Sequence, residues 1–219
     1  MTEQDFAAER AAMVKEQLRQ RGIKDTAVLQ AMGTIPRELF VPARYHPHAY
    51  KDGPLPLPHH QTISQPYVVA YMISLLHLQP DDAVLEVGTG SGYAAAVLSH
   101  LARVVYTVER HDELVAYATE RLDYLQYDNV HVVHGDGTQG YAPQAPYDAI
   151  IVAAGGPAIP DSLKQQLAEG GRLVMPVGAD RRHQHLVRVT RLDAVTFDEE
   201  NKGPVAFVPL IGSEGWSQG

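Results

Sequence analysis

Cysteine is absent from the 219-residue chain. Its absence excludes disulfides, zinc–thiolate sites and a cysteine nucleophile, and it is compatible with the cytoplasm. Positive charge is also in short supply: 18 lysines and arginines face 26 aspartates and glutamates, a formal net charge of −8. A chain whose main task is to coat phosphate backbones carries the opposite balance, so no nucleic-acid partner is expected. No apolar run reaches the roughly 18 residues that a membrane span needs, so no membrane partner is expected either. The opening stretch MTEQDFAAER has neither the basic nor the apolar region of a signal peptide. The expected location is cytoplasmic, and a monomer is the expected state.

What is present is ordinary globular material, 45% hydrophobic and 20% charged. A domain of this length buries roughly 70% of the surface of its unfolded chain and needs no disulfide or metal staple. Residues 1–219 read as one domain in three zones. The first, 1–60, is a helical and loop extension. Phe6, Met13, Val14 and Leu18 recur at helical spacing, Gly22 closes that helix, and Asp25 is placed to cap a second helix through Met32. Pro36 to Pro58 then reads as ordered loop, with Phe40, Val41, Tyr45, Tyr50 and Leu57 available for packing.

The second zone, 61–178, alternates helix and strand. Helices are expected over 66–78, 93–101, 111–125 and 160–168, and strands over 83–87, 103–109, 130–136, 147–154 and 171–178. Continuous apolar strands separated by helices predict a parallel sheet covered on both faces. In the third zone, 179–219, the runs HLVRVTRL and AVTF predict an antiparallel edge.

The chemistry centres on E-V-G-T-G-S-G, Glu86 to Gly92, between a buried-type strand and a helix. Gly88, Gly90 and Gly92 permit a tight turn, and with Thr89 and Ser91 they bring backbone N–H groups to a ligand at a helix N-terminus. In an open α/β sheet that position is the binding crevice. Gly90 to Ala95 also fits the dinucleotide pattern G-x-G-x-x-A, with Glu109 as the following acid. A pyrophosphate gains nothing from Glu86 at the strand end. A zwitterionic methionyl group offers that carboxylate an ammonium. Glu109 is placed to accept ribose hydroxyls, and Asp136 with Gly137, in HGDG, to take an adenine amino group. Three carboxylates suit a cationic sulfonium better than an anionic pyrophosphate, so S-adenosyl-L-methionine is the expected cofactor.

The substrate side is expected at QTISQP, Gln61 to Pro66, where hydroxyls and amides precede a helix. Ser64 reads in two ways, as an N-cap for that helix or as a functional hydroxyl. No metal is expected. His46 and His48, His59 and His60, and His183 and His185 lack a third ligand at a recognised spacing.

Several segments resemble the protein-L-isoaspartate O-methyltransferase family: RGIKDTAVLQAM (21–32), PRELFVP (36–42), AYKDGPLPL (49–57), QTISQPYVVAYM (61–72), VLEVGTGSGYAAAVL (84–98), VYTVER (105–110), GDG (135–137), APYDAIIV (145–152), LKQQLAEGGRLVMPVG (163–178) and FVPL (207–210). They run in order from about residue 13 to about 210. The glycine segment is shared by many methyltransferases, whereas QTISQP, PRELFVP and GGRLVMPVG are specific to this family.

The resemblance implies a Rossmann-like class I fold: a seven-stranded, mostly parallel sheet with helices on both faces and an antiparallel strand near the C-terminus. It implies methyl transfer to the α-carboxylate of L-isoaspartyl residues, so that damaged proteins and peptides are the substrates and S-adenosyl-L-homocysteine the product. It makes Ser64 the active-site serine. It places Gln61, Thr62, Ile63, Glu86, Gly88, Thr89, Gly90, Ser91, Gly92, Glu109, Asp136 and Gly137 around the cofactor. The chain departs from the family in having Pro58-His59-His60 where a G-x-G pattern precedes QTIS, and Ala206 where an arginine is frequent. Three alternatives stay open: a methyltransferase for another acceptor (a small-molecule acid or a tRNA base), a nicotinamide-dependent oxidoreductase, and a non-catalytic binding module.

Overall fold

Apolar runs with period-2 alternation form the centre of the computed structural model, which describes residues 3–217. The ends of the expected 1–219 span, residues 1–2 and 218–219, lie outside it. In chain order the elements are α1 (Glu3–Ala12), α2 (Thr26–Thr34), β1 (Leu55–Pro56), β2 (Thr62–Ile63), α3 (Pro66–Ser74), β3 (Ala83–Val87), α4 (Tyr93–Ser99), β4 (Val104–Glu109), α5 (Asp112–Tyr124), β5 (Val130–His134), β6 (Tyr147–Val152), α6 (Asp161–Gln166), β7 (Leu167–Val177), β8 (Gln184–Arg191) and β9 (Phe197–Val205). The main sheet has seven strands in the order β5-β4-β3-β6-β7-β8-β9. Its first five strands are parallel, and β8 pairs antiparallel with both β7 and β9. This is the mostly parallel Rossmann-like sheet that the sequence leads one to expect.

Alternation along the strands divides the interior into two cores. Val84, Ala149, Ile151 and Val174 pack with α3, α4, α5 and the N-terminal helices on one face. Leu85, Ile150, Val152, Leu173 and Met175 pack with Leu163 of α6 on the other. Val84 and Leu85, consecutive and both 0% exposed, serve opposite faces. Each such side chain contributes roughly 1.5–3 kcal/mol on burial. With both faces covered, the ligand-accessible surface falls at the carboxyl ends of the strands.

The N-terminal zone follows its local signals. Asp25 caps α2 by accepting hydrogen bonds from the backbone N–H groups of Ala27 and Val28. The helix that begins with α1 continues as a π-helical turn (Met13–Leu18) and a 3-10 turn (Arg19–Arg21), and ends at Gly22 with φ +95°. Several boundaries differ from the sequence pattern: α3 stops at Ser74, α4 at Ser99, β5 at His134 and β6 at Val152, each short of its expected end, and larger differences lie further on. Strand β7 starts at Leu167, which pairs with Tyr147 ahead of a register irregularity, so it begins four residues before its expected start and α6 ends at Gln166, two residues short of its expected end. Of AVTF only Phe197 is in a strand, because Asp193 Oδ1 accepts from the N–H groups of Val195 and Thr196 and forms a turn. The final strand is instead FDEENKGPV, an edge strand whose charged residues disguise it.

Candidate active site

A cavity of about 690 Å³ opens at the carboxyl ends of β3, β4 and β6. Its walls come from widely separated stretches: Gln61 to Gln65, Glu86 to Ser91, Glu109 to His111, Gly137, and Pro204 to Ile211. The hairpin β1–β2, with Leu55 opposite Ile63, sets the first wall beside the glycine turn.

The glycine turn is shaped by steric necessity at Gly90 and Gly92, with φ +54° and +86°. A Cβ on Gly92 would press within 3.3 Å of Leu122 Cδ1 in α5. The turn is also tied down, because Gly90 N–H donates to Glu109 Oε2 at 3.0 Å. Glu109 Oε1 accepts from the N–H groups of Arg110 (2.9 Å) and His111 (3.1 Å). A carboxylate offers about four acceptor sites. Glu109 therefore organises the backbone with three of them and keeps about one for a ligand.

Glu86 is 1% exposed and receives a hydrogen bond from Thr107 Oγ1 at 2.6 Å, with Thr89 Oγ1 a further 2.6 Å from Thr107 Oγ1. Burial pushes the Glu86 carboxyl up, the Thr107 hydroxyl opposes this, and the charge of Glu109 adds to the rise, to about 8. A buried carboxyl with one hydroxyl partner and a second carboxylate nearby fits a cation. The ammonium of a methionyl group is such a cation, and so the residues present fit the expected cofactor.

Ser64 lies half-buried in the cavity wall. The residue that caps α3 is Gln65, with no side-chain capping bond, so the Ser64 hydroxyl is not spent on the helix. Of the sequence-predicted residues, Gln61, Thr62, Ile63, Ser64, Glu86, Gly88, Thr89, Gly90, Ser91, Glu109 and Gly137 line this one cavity. Gly92 does not, since it serves as the left-handed residue that starts α4. Asp136 lines an adjoining cavity of about 530 Å³, which shares Arg110 and Ile211 with the larger one. Its carboxylate is largely committed. Oδ1 accepts from Thr138 N (2.9 Å) and Thr138 Oγ1 (2.7 Å), and Oδ2 from Ser213 N (2.8 Å). Gly137 packs so closely that a Cβ there would sit 2.4 Å from Val87 Cγ1.

Other residues of the site carry no obvious mark in the sequence. Thr107 is the register partner of Glu86 across β3 and β4. Arg37, wholly buried, donates from Nη2 to the carbonyl of Ser64 at 2.8 Å. His111 lines the cavity and stacks on His59 with ring centroids 4.7 Å apart and planes 8° apart. His59 Nε2 also meets Glu113 Oε2 at 2.9 Å, so the Pro58-His59-His60 loop is clasped to the start of α5. Burial holds the His111 ring below the usual histidine range. Among the described residues, no three ligand-type side chains gather into a metal-binding group.

A family model described as protein-L-isoaspartate(D-aspartate) O-methyltransferase matches residues 8–215. The chain belongs to the protein-L-isoaspartate O-methyltransferase family. It is 55% identical over 212 residues to protein-L-isoaspartate O-methyltransferase 1 of Rhodopseudomonas palustris strain HaA2, covering 97% of this chain and 86% of that one. The Koribacter versatilis protein-L-isoaspartate O-methyltransferase is 54% identical, with 97% and 95% covered. Among solved structures, one protein-L-isoaspartate O-methyltransferase superposes with a TM-score of 0.84 at 30% identity, over 94% of this chain and 67% of the other. A Plasmodium falciparum member of the family, crystallised with S-adenosyl-L-homocysteine, matches with a TM-score of 0.79 at 26% identity, over 92% and 98% of the two chains. These family likenesses span nearly the whole chain, and residues 8–215 of the family match include Gln61 to Pro66.

Proposed function

We propose that this protein transfers the methyl group of S-adenosyl-L-methionine to the free α-carboxylate of L-isoaspartyl residues in damaged proteins and peptides, initiating their repair. The observation that carries the reading is a shared cavity: Ser64, free of any capping duty, lines the same space as Glu86 and Glu109. The cofactor, when bound, supplies a methyl group on a sulfonium, which carries its own leaving group. The acceptor carboxylate is already ionised at neutral pH, so no general base is required of the chain. The work of the residues is alignment, which supplies several kcal/mol and up to about 7–11 in ideal cases.

In this reading Glu86 receives the ammonium of the methionyl group and Glu109 accepts a ribose hydroxyl. The turn that Asp136 fixes presents Gly137 to the adenine end. Gln61, Thr62 and Ile63 form the boundary between cofactor and acceptor. Ser64 donates its hydroxyl to an acceptor oxygen and is neither acylated nor methylated. The protein works as a cytoplasmic monomer on protein and peptide substrates. Among the described residues no helix is long and apolar enough to cross a membrane.

Transfer of tritiated methyl to an isoaspartyl peptide, set beside its normal aspartyl twin, tests the assignment. Labelling of the isoaspartyl peptide alone is the expected result. Equal labelling of both, or of neither, overturns it.

A further inference from the structure

Arg37 heads the side chains that the fold buries completely, at 0% exposure. Its Nε donates to Ala49 O and its Nη2 to Ser64 O, each at 2.8 Å. The guanidinium carbon lies 4.7 Å from the centroid of the Tyr93 ring. Ser64 and Tyr93 both line the active-site cavity, so the cation sits directly behind its wall.

What it lacks is an anion. The neighbouring Glu38 is taken by Arg10 at 3.3 Å and by the Tyr50 hydroxyl. Arg37 forms no ion pair among the described residues, and burial pulls its guanidinium below the usual arginine value. Carbonyl dipoles and a ring face soften an isolated buried charge without cancelling it. Folded proteins rarely keep such a charge without a partner. On the proposed function, the group that reaches the far side of the Ser64 peptide is a carboxylate.

We propose that Arg37 is a positioning residue for the methyl acceptor: it fixes the Ser64 peptide from behind, and its uncompensated charge selects an anionic acceptor at that wall. The proposal rests on the assignment of Ser64 to the acceptor side. It makes the absent counter-ion part of the substrate. The selectivity for a free carboxylate then comes partly from a residue that never touches it.

The test uses the full-length protein with S-adenosyl-L-homocysteine bound. Two probes are compared, an isoaspartyl peptide and the same peptide with that carboxylate capped as a primary amide. Wild type is expected to bind the acid about tenfold or more tightly than the amide. Equal affinity overturns the proposal, whatever the variants do. Failure to prefer the isoaspartyl peptide over its aspartyl twin would instead overturn the functional assignment, which separates the two.

Arg37→Gln keeps a donor for Ser64 O and removes the charge, whereas Arg37→Lys keeps the charge as a compact ammonium without the guanidinium fork. The expected result is that Arg37→Gln loses most of the acid-over-amide preference and Arg37→Lys recovers it to within about threefold of wild type, with S-adenosyl-L-homocysteine affinity little changed in both. Loss of acid and amide binding in equal measure would show a purely structural role and overturn the proposal. Should Arg37→Gln not fold, as judged by its failure to bind S-adenosyl-L-homocysteine, Arg37→Met, uncharged and of similar length, takes its place with the same expected loss of preference, and a preference kept at the wild-type ratio overturns the proposal.

Discussion

Thr107 donates its hydroxyl to Glu86 Oε2 at 2.6 Å across two neighbouring strands, the only hydrogen bond the buried carboxyl receives among the described residues. The two residues are register partners in the parallel pairing of β3 and β4, so the sheet itself aims the bond. One neutral hydroxyl does not offset desolvation, and the Glu86 carboxyl stands at about 8, well above its ordinary value of 4.5.

A pH dependence follows for Glu86. A cofactor ammonium favours the ionised form, so binding of S-adenosyl-L-homocysteine at pH 7 is expected to release a proton. Its affinity should tighten as pH rises toward about 8. Calorimetry in buffers of different ionisation enthalpy measures that release. Glu86→Gln should abolish the release and weaken binding by roughly ten- to a hundredfold, the value of one hydrogen bond to a charged group. The stability of the free protein has the opposite slope. With the folded value raised above the unfolded one, the contribution of Glu86 is complete below about 4.5 and is lost as pH rises through about 8. The Gln variant lacks that loss.

Ser64→Ala separates the two duties that the sequence left open for this hydroxyl. With Gln65 as the helix cap, removal of the hydroxyl should change stability by no more than about 0.5 kcal/mol. The value of kcat/KM for an isoaspartyl peptide should fall by roughly ten- to a hundredfold, with cofactor affinity intact. Thermal melts and steady-state rates decide it. A melt lowered by the equivalent of about 1 kcal/mol, with full activity, would return Ser64 to capping.

Asp136→Asn should loosen the C-terminal segment. The carboxylate accepts from Ser213 N at 2.8 Å and from Thr138 twice, and an amide must turn a donor toward one of those donors. A cost of about 1–3 kcal/mol is expected. Trp216 is the single tryptophan, and its Nε1 donates to Gly155 O at 3.0 Å. Its emission therefore reports the loosening directly, and an unchanged spectrum and melt would contradict this account.

The histidines of the Pro58-His59-His60 loop should respond differently to glycine. Both hold φ +56°, a left-handed conformation that costs a side-chain-bearing residue about 1–2 kcal/mol. His60 is exposed, so His60→Gly is expected to be neutral or to stabilise by up to about 1 kcal/mol. His59 stacks on His111 and meets Glu113, so His59→Gly gives up both contacts and should not stabilise. Denaturant midpoints of the two variants make the comparison.

Much of this could be read from the residues alone, and the exceptions share a cause. Strands β3 and β6, and β7 from Gly171 on, announce themselves because burial on both faces demands continuous apolar runs. Strand β9 does not, because an exposed edge tolerates Asp198, Glu199 and Glu200. Glu86 is legible from its place before the glycine turn. Thr107 is not, since a threonine in a strand is what β-propensity already favours. Arg37 sits in a proline-rich loop, where an arginine is ordinarily exposed, and its burial depends on Ala49, Ser64 and Tyr93 closing around it. The carboxylate of Asp136 looks free for a ligand until the chain returns 77 residues later and places Ser213 N against it.

That return has a consequence for how the protein is made. Synthesis delivers the glycine turn first, and the wall formed by Pro204 to Ile211 and the segment anchored on Asp136 are made well after it. A ligand stabilises only a state that can bind it. A growing chain therefore matures without help from its cofactor, and any product interrupted before Leu210 should be blind to it. Occupancy by cofactor would then report only on chains made past Leu210.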